Sequence, residues 1–229
     1  MFDAIAARYD LLNHLLSAGL DRRWRRRAVR ELAFTGRERV VDLCSGTADL
    51  AIAAVVDPKP AARVVGVDFA AEMLRFGREK LRRRRLDGRV ALVRGDAVAL
   101  PVADASADAA MIAFGIRNVE RPERALAELF RVLKAGGRLA VLEFGFPRVP
   151  GVRTLYLWYF RGVLPWVGRL ISRHRGAYSY LPASVGAFQS PEAFSQLLAD
   201  AGFVRVRAVP LTLGIVYLFM GVRGENGGA

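Results

Sequence analysis

Several absences narrow the reading of this 229-residue chain before any motif is considered. Its one cysteine, Cys44, rules out an internal disulfide framework and suits a reducing compartment. The opening residues, MFDAIAARYDLL, carry acids at Asp3 and Asp10 and no basic start followed by an unbroken apolar run, so no signal peptide is expected. The most apolar stretch, residues 151–171, is a poor membrane span. Arg153, Arg161 and Arg169 would each cost about 2.5 to 3.5 kcal/mol near a bilayer centre, and Pro165 breaks the run. Acid is also scarce: residues 145–190 hold six arginines, one histidine and no Asp or Glu.

What is present starts with charge. A net charge of +13 and a pI near 11.0 predict attraction to polyanions, either nucleic acid or an anionic membrane surface. A hydrophobic content of 53% can bury one large core. The expectation is therefore a single domain over residues 1–229, with an N-terminal helical segment at 1–36 and a lid-like insertion at 145–190.

Apolar residues at spacings of three and four predict an amphipathic helix over residues 2–18. The following DRRWRRRAVRE makes a second helix, with Asp21 as its cap. Its arginines can be a solvated face. Alternatively they form an interfacial patch, with Arg stems snorkelling and Trp24 at the headgroup level. Buried strands are predicted at residues 39–43, 62–68, 90–94, 107–114 and 139–144. Helices are expected at 50–56, 70–85 and from Pro122 to the glycines at 136 and 137. A last helix at 191–201 precedes strands at 203–209 and 213–222, joined by a turn at 210–212. Strands alternating with helices argue for a mostly parallel sheet covered on both faces, and two closely joined final strands must pair antiparallel.

The chain is organised around residues 40–49, VVDLCSGTAD, a buried strand ending in Asp42, a turn through Ser45 and Gly46, and a helix entered at residues 47–49. Doubly wound α/β proteins hold nucleoside cofactors with this geometry. A pyrophosphate needs glycines and bare amides; here one glycine stands among acids and hydroxyls, and Asp42 with Asp49 would attract a cation. S-adenosylmethionine, an adenosine bearing a sulfonium and an ammonium but no phosphate, fits that chemistry. An ordinary βα turn with a capped helix is the competing reading. Asp68, at the end of the second strand, is placed to accept ribose hydroxyls, and Asp96 with Ala97 lies where adenine would stack. Cys44 is expected to be an apolar filler, and His14 and His174 carry no assigned role.

FDAIAARYDLLN, DLCSGTADLA, VVGVDFAAEML, GDAVALP, AFGIRNVERPERALAELFRVLKAGGRLAVLEF, YSYLPASVGAF and LTLGIVYLFMG together resemble the menaquinone and ubiquinone C-methyltransferase family over nearly the whole chain. The resemblance implies a class I S-adenosylmethionine-dependent methyltransferase fold, a seven-stranded mostly parallel sheet with an antiparallel C-terminal strand. It implies a cofactor site of Asp42, Gly46, Thr47, Asp68, Phe69, Asp96, Ala97 and Ala113, and no metal. It further implies C-methylation of a prenylated quinol. On chemical grounds Arg117, at the carboxyl end of the fourth strand, is a candidate to stabilise the phenolate or orient a water, and Tyr9 and Tyr178 are candidates to orient substrate or cover the cofactor, with aromatic packing under a lid as the competing reading. The expected setting is cytoplasmic, peripheral on the inner face of the cell membrane, with an anionic lipid surface as partner, no nucleic acid, and a homo-oligomer compatible. Three departures stand out: Ala48 replaces a usual glycine and should deny the turn a positive φ, Ala113 stands where serine is frequent, and Gln189-Ser190 replaces a proline context. The rival readings are a methyltransferase for another phenolic or terpenoid acceptor, a nucleic-acid methyltransferase, which the absence of an Asn/Asp-Pro-Pro-aromatic motif opposes, and a non-catalytic membrane scaffold.

Overall fold

A computed structural model describes Ser17, residues 19–158, Gly162, residues 184–186 and residues 188–224. In chain order the elements are α1 (Leu20–Glu31), β1 (Arg39–Leu43), α2 (Asp49–Val56), β2 (Arg63–Asp68), α3 (Ala71–Arg83), β3 (Val90–Arg94) and β4 (Ala107–Ala113). They continue with α4 (Pro122–Val132), β5 (Leu133–Phe144), α5 (Pro150–Trp158), α6 (Pro191–Asp200), β6 (Phe203–Leu211) and β7 (Val216–Arg223). The helix expected over residues 2–18 lies outside the described residues, as do Tyr9, His14, His174 and Tyr178.

All seven strands form one sheet in the order β3-β2-β1-β4-β5-β7-β6. The first five pair in parallel, while β7 runs antiparallel between β5 and β6. The central strands read as near-continuous apolar runs because both faces are covered. One face carries α1, α2 and α3 through Val29, Leu50, Leu74 and Leu81. The other carries α4 and α6 through Leu126, Leu129, Phe194 and Leu198. α4 opens on Pro122, whose fixed φ suits a first helical turn, and buries Ala125, Leu126, Leu129 and Val132 at helical spacing. In α6 the Ser190 hydroxyl accepts a hydrogen bond from the Ala193 N–H at 3.2 Å, so the expected loss of a proline context is met by a working cap.

Four local expectations are corrected. Asp21 is not the cap of α1; Gly19 is, and Asp21 lies buried in the first turn, paired with Arg25. Trp24 is not an interfacial anchor. Its ring packs edge-on against Phe114 and Phe144, and its Nε1–H donates to Thr212 Oγ1 at 2.8 Å. α4 stops at Val132 rather than at the glycines, because Leu133 already pairs with Ala107 of β4. The β6–β7 turn falls at Thr212–Gly214, later than expected, since Pro210 stays in β6, an edge strand that tolerates a missing N–H.

Candidate active site

Backbone strain gathers where β1 and β4 end. Cys44 (φ 56°), Gly46 (φ 53°) and Ala48 (φ 68°) alternate in the left-handed region, and Phe114 (φ 59°) faces them from the end of β4. Non-glycine residues pay about 1 to 2 kcal/mol for this conformation. Ala48 therefore does adopt the positive φ that alanine was expected to forbid, and its methyl is wholly buried in the core, which recovers much of the cost. The two turns touch: a Cβ on Gly115 would lie 2.3 Å from Cys44 Cβ, so only glycine fits the crossing. Burial pushes the Cys44 thiol well above its ordinary range, which leaves it a filler and not a nucleophile.

The crossing walls a cavity of about 430 Å³ at the carboxyl ends of β1, β2 and β4. Gly46, Asp68, Phe69, Asp96, Ala97 and Ala113, six of the eight residues expected to hold a cofactor, line it. Asp68 Oδ2 accepts from the Gly46 N–H and Oδ1 from the Ala70 N–H, each at 2.8 Å. These bonds fix the orientation of the carboxylate at the rim. Asp96 Oδ1 accepts from the Val98 N–H at 3.0 Å, a local turn that holds Ala97 against the cavity. Phe69 is exposed at the mouth, with the Arg94 guanidinium 5.5 Å from its ring centre.

Asp42 and Thr47 lie elsewhere. They line a chamber of about 30 Å³ together with Arg25, Ser45 and Asp49, and this chamber shares Cys44, Gly46 and Ala113 with the larger cavity. Thr47 Oγ1 accepts from Lys80 Nζ at 3.1 Å, and the same ammonium pairs with Asp49 at 2.8 Å. Asp42 Oδ2 accepts from the Ala51 N–H at 3.1 Å, whereas Asp42 Oδ1 and Ser45 Oγ are buried with no hydrogen-bond partner. Burial, reinforced by the neighbouring Asp68 and Asp49, holds the Asp42 carboxyl well above the usual range.

Arg117 is not a lining residue of either cavity. It stands behind Phe114, in the turn after β4. Its Nη1 donates to Glu143 Oε1 at 2.7 Å and to the Phe114 carbonyl at 2.6 Å, and its Nε to Ser184 Oγ at 3.3 Å. Glu143 is fully buried, and burial raises its pKa although Arg117 works against the rise. This carboxylate was missed in the sequence, where its signal was an acid inside the apolar run LAVLEF. Arg25 was also missed, hidden among arginines of which Arg22, Arg23, Arg26, Arg27 and Arg30 are exposed.

A five-strand parallel sheet with an antiparallel strand inserted near its edge, and an acid-lined cleft over the first βα turn, define a class I methyltransferase. Solved structures share the fold: the SAM-dependent methyltransferase of Aquifex aeolicus is 21% identical with a TM-score of 0.61 over 86% of this chain and 88% of that one. The cyclase SpnF is 18% identical with a TM-score of 0.66 over 90% and 81%, so the architecture alone does not set the reaction. The chain belongs to the ubiE/COQ5 methyltransferase family, which it matches over residues 1–223. It is 49% identical to the demethylmenaquinone methyltransferase of Thermus thermophilus across 97% of this chain and all of that protein. It is 49% identical to the ubiquinone/menaquinone biosynthesis C-methyltransferase UbiE of Syntrophotalea carbinolica across 99% and 94%.

Proposed function

We propose that this chain transfers a methyl group from S-adenosylmethionine to a ring carbon of a prenylated quinol, with demethylmenaquinol as the acceptor. The reading rests on the cavity in which acids and apolar walls stand where a dinucleotide site would need phosphate-binding glycines. Its volume of about 430 Å³ falls in the range of small-molecule sites. Asp68, braced by two amides, suits a ribose diol; Asp96 and Ala97 suit an adenine edge; the Asp42 side suits a cation. The relatives' names supply the acceptor class.

When bound, the cofactor supplies an electrophilic methyl group on sulfur. The protein's part is to hold a quinol ring carbon in line and to favour the ionised oxygen that makes that carbon nucleophilic. Arg117 lines neither cavity but stands behind Phe114, which walls the larger one; it is assigned here as a donor, since a guanidinium stays protonated and cannot serve as a base. It stabilises the phenolate or orients the water that removes the ring proton. Glu143 fixes its orientation. Tyr9 and Tyr178 retain their proposed roles of orienting substrate and covering the cofactor.

The quinol's tail calls for a bilayer, and a set of exposed apolar residues at the same edge of the sheet supports docking to one. Val149, Leu155, Trp158 and Leu213 are exposed large apolar residues at the carboxyl edge of the sheet, in or beside the acid-free insertion. No helix among the described residues is long and apolar enough to cross a membrane. A helix lying in the interface on the inner face of the cell membrane, with basic residues toward anionic lipid, accounts for both facts. Assay of the purified chain with labelled cofactor and prenylated quinols tests the activity. Arg117→Ala is expected to lower kcat by about 100- to 1,000-fold with cofactor affinity kept, and unchanged methyl transfer would remove Arg117 from the mechanism.

A further inference from the structure

A separate trough opens at the carboxyl edge of the sheet, on the far side of β5 from the cofactor cavity. It holds about 630 Å³ between the ends of β6 and β7, the entry to α5 and the first turns of α6. Its depth comes from small groups, Ala208 and Gly214, and from the Tyr217 ring, which lies so close to the chain that a Cβ on Gly145 would be 2.6 Å from it. Val149, Pro210 and Leu213 form apolar walls. The polar groups beside them are already engaged: the Ser195 hydroxyl donates to the Pro191 carbonyl at 2.7 Å, and Arg148 pairs with Glu192 at the mouth. The surface left over suits a hydrocarbon that asks for no hydrogen bonds.

The lip of the trough is strained. Thr212 (φ 48°) and Leu213 (φ 58°) follow one another in the left-handed region, which non-glycine residues adopt at a cost in energy. The hydrogen bond from Trp24 Nε1 holds Thr212 in place, and Leu213 is left 63% exposed. The two ends of the trough lead in different directions. At the inner end Tyr217 faces Glu143 across the β5–β7 ladder, and directly opposite residues of an antiparallel pair share a face with Cα atoms about 4.5 to 5.5 Å apart. Glu143 in turn holds Arg117 at 2.7 Å. At the outer end Val149 and Leu213 belong to the exposed apolar set assigned above to the bilayer. The cofactor cavity, at about 430 Å³, is of a size that one cofactor-sized molecule takes up, so a chain of isoprene units has to leave it.

Resting on the quinol reading above, we propose that this trough seats the first isoprene units of the acceptor's tail, with Tyr217 under the unit nearest the ring and Leu213 against the chain where it passes to the bilayer. The tail then does more than anchor the acceptor in a membrane. Gripped beyond Tyr217, it fixes the rotation of the ring and so the carbon that meets the methyl group, through contacts remote from the reacting atoms.

Methyl transfer in phospholipid-free detergent micelles, with two naphthoquinols that carry either a polyprenyl tail or none, isolates the tail contact. Ser195→Trp fills the trough from α6, and Leu213→Asp places a charge at its lip. Each should lower kcat/KM for the tailed acceptor by about 10- to 100-fold, the worth of one or two buried branched apolar units, and leave kcat/KM for the tail-free ring near that of the unaltered chain. Leu213→Met should restore most of the loss. Val204→Asp, at an exposed residue where β6 begins, should change neither value. The ratio of the two acceptors is taken within one variant, so partial unfolding does not distort it. Equal loss for both acceptors in Ser195→Trp and Leu213→Asp, or no loss for either, would overturn the assignment. A ratio that holds while flotation on phosphatidylglycerol vesicles falls would give the trough to a lipid chain and overturn it as well. Turnover of neither acceptor by the unaltered chain would overturn the quinol reading itself.

Discussion

The two edges of the sheet each carry a cleft, and the larger one is the less informative. At the amino edge an open groove of about 840 Å³ is lined by Glu38, Arg39, Asp108, Lys134 and Arg138, against about 430 Å³ for the cavity at the carboxyl edge. Its polar groups satisfy one another. Glu38 accepts from the Thr35 N–H and hydroxyl, both at 2.8 Å, and from the Gly36 and Arg37 N–H groups at 3.1 Å. Asp108 accepts from the Arg39 N–H and from Lys134. The carboxyl edge instead keeps Asp42 Oδ1 and Ser45 Oγ unmet and holds Cys44, Ala48 and Phe114 at positive φ. Volume measures where the chain fails to fill space. Unmet hydrogen bonds and stored strain show where the fold has been held short of its own optimum, as a binding site requires.

Four substitutions probe that contrast. Glu143→Ala strips the partner from a buried guanidinium at the carboxyl edge and should cost about 3 to 5 kcal/mol in denaturant unfolding, together with methyl transfer. A loss under 1 kcal/mol would show that Arg117 is well solvated. Asp68→Ala should weaken S-adenosylmethionine by about 10- to 100-fold in equilibrium binding while changing stability far less; unchanged affinity would move the ribose elsewhere.

Glu38→Gln should cost about 1 to 2 kcal/mol at neutral pH and leave cofactor affinity untouched. Burial alone would raise the Glu38 pKa, but the hydrogen bonds from Thr35 and the neighbouring amides outweigh it and hold it below the ordinary value. Its stabilisation is thus complete above the ordinary glutamate pKa and disappears as pH falls through the lower folded one, so wild type and Glu38→Gln should converge in acid melts. Asp42 has the opposite sign: its raised pKa means that stability is given up as pH climbs from the ordinary carboxylate value toward the folded one. Ala48→Gly gains about 1 kcal/mol of backbone relief and forfeits a buried methyl of similar worth, so thermal unfolding should move stability by less than about 0.5 kcal/mol.

Much of this was legible in the chain. β1 and β3 have the expected bounds because runs such as RVVDL and VALVR leave no competing periodicity. Asp68 was found because it closes an apolar strand, where an acid has few structural uses. Thr47 and Asp42 were placed only to the level of the turn: which way a side chain leaves a turn depends on φ values at residues 44, 46 and 48, and nothing local in the sequence sets those of Cys44 and Ala48. Trp24, Arg25 and Glu143 were misjudged or missed for one reason. Each is buried by a partner far along the chain, Trp24 by Phe144 and Thr212, Arg25 by Asp49 and Phe114, Glu143 by Arg117.

The position of β7 also governs when the molecule can become itself. It is the last of the seven strands in sequence, yet it lies between β5 and β6 and is the only strand among the described residues that pairs with β6. It also covers the flank of Glu143, whose register partner is Tyr217. A chain emerging from the ribosome can gather its first five strands early, but neither the outer strand nor the buried ion pair behind the cavity can close until the residues around 216–223 are free. Closure of this side of the sheet therefore waits on residues 216–223, and a chain that has not yet reached them exposes the edge of β5 in the interval.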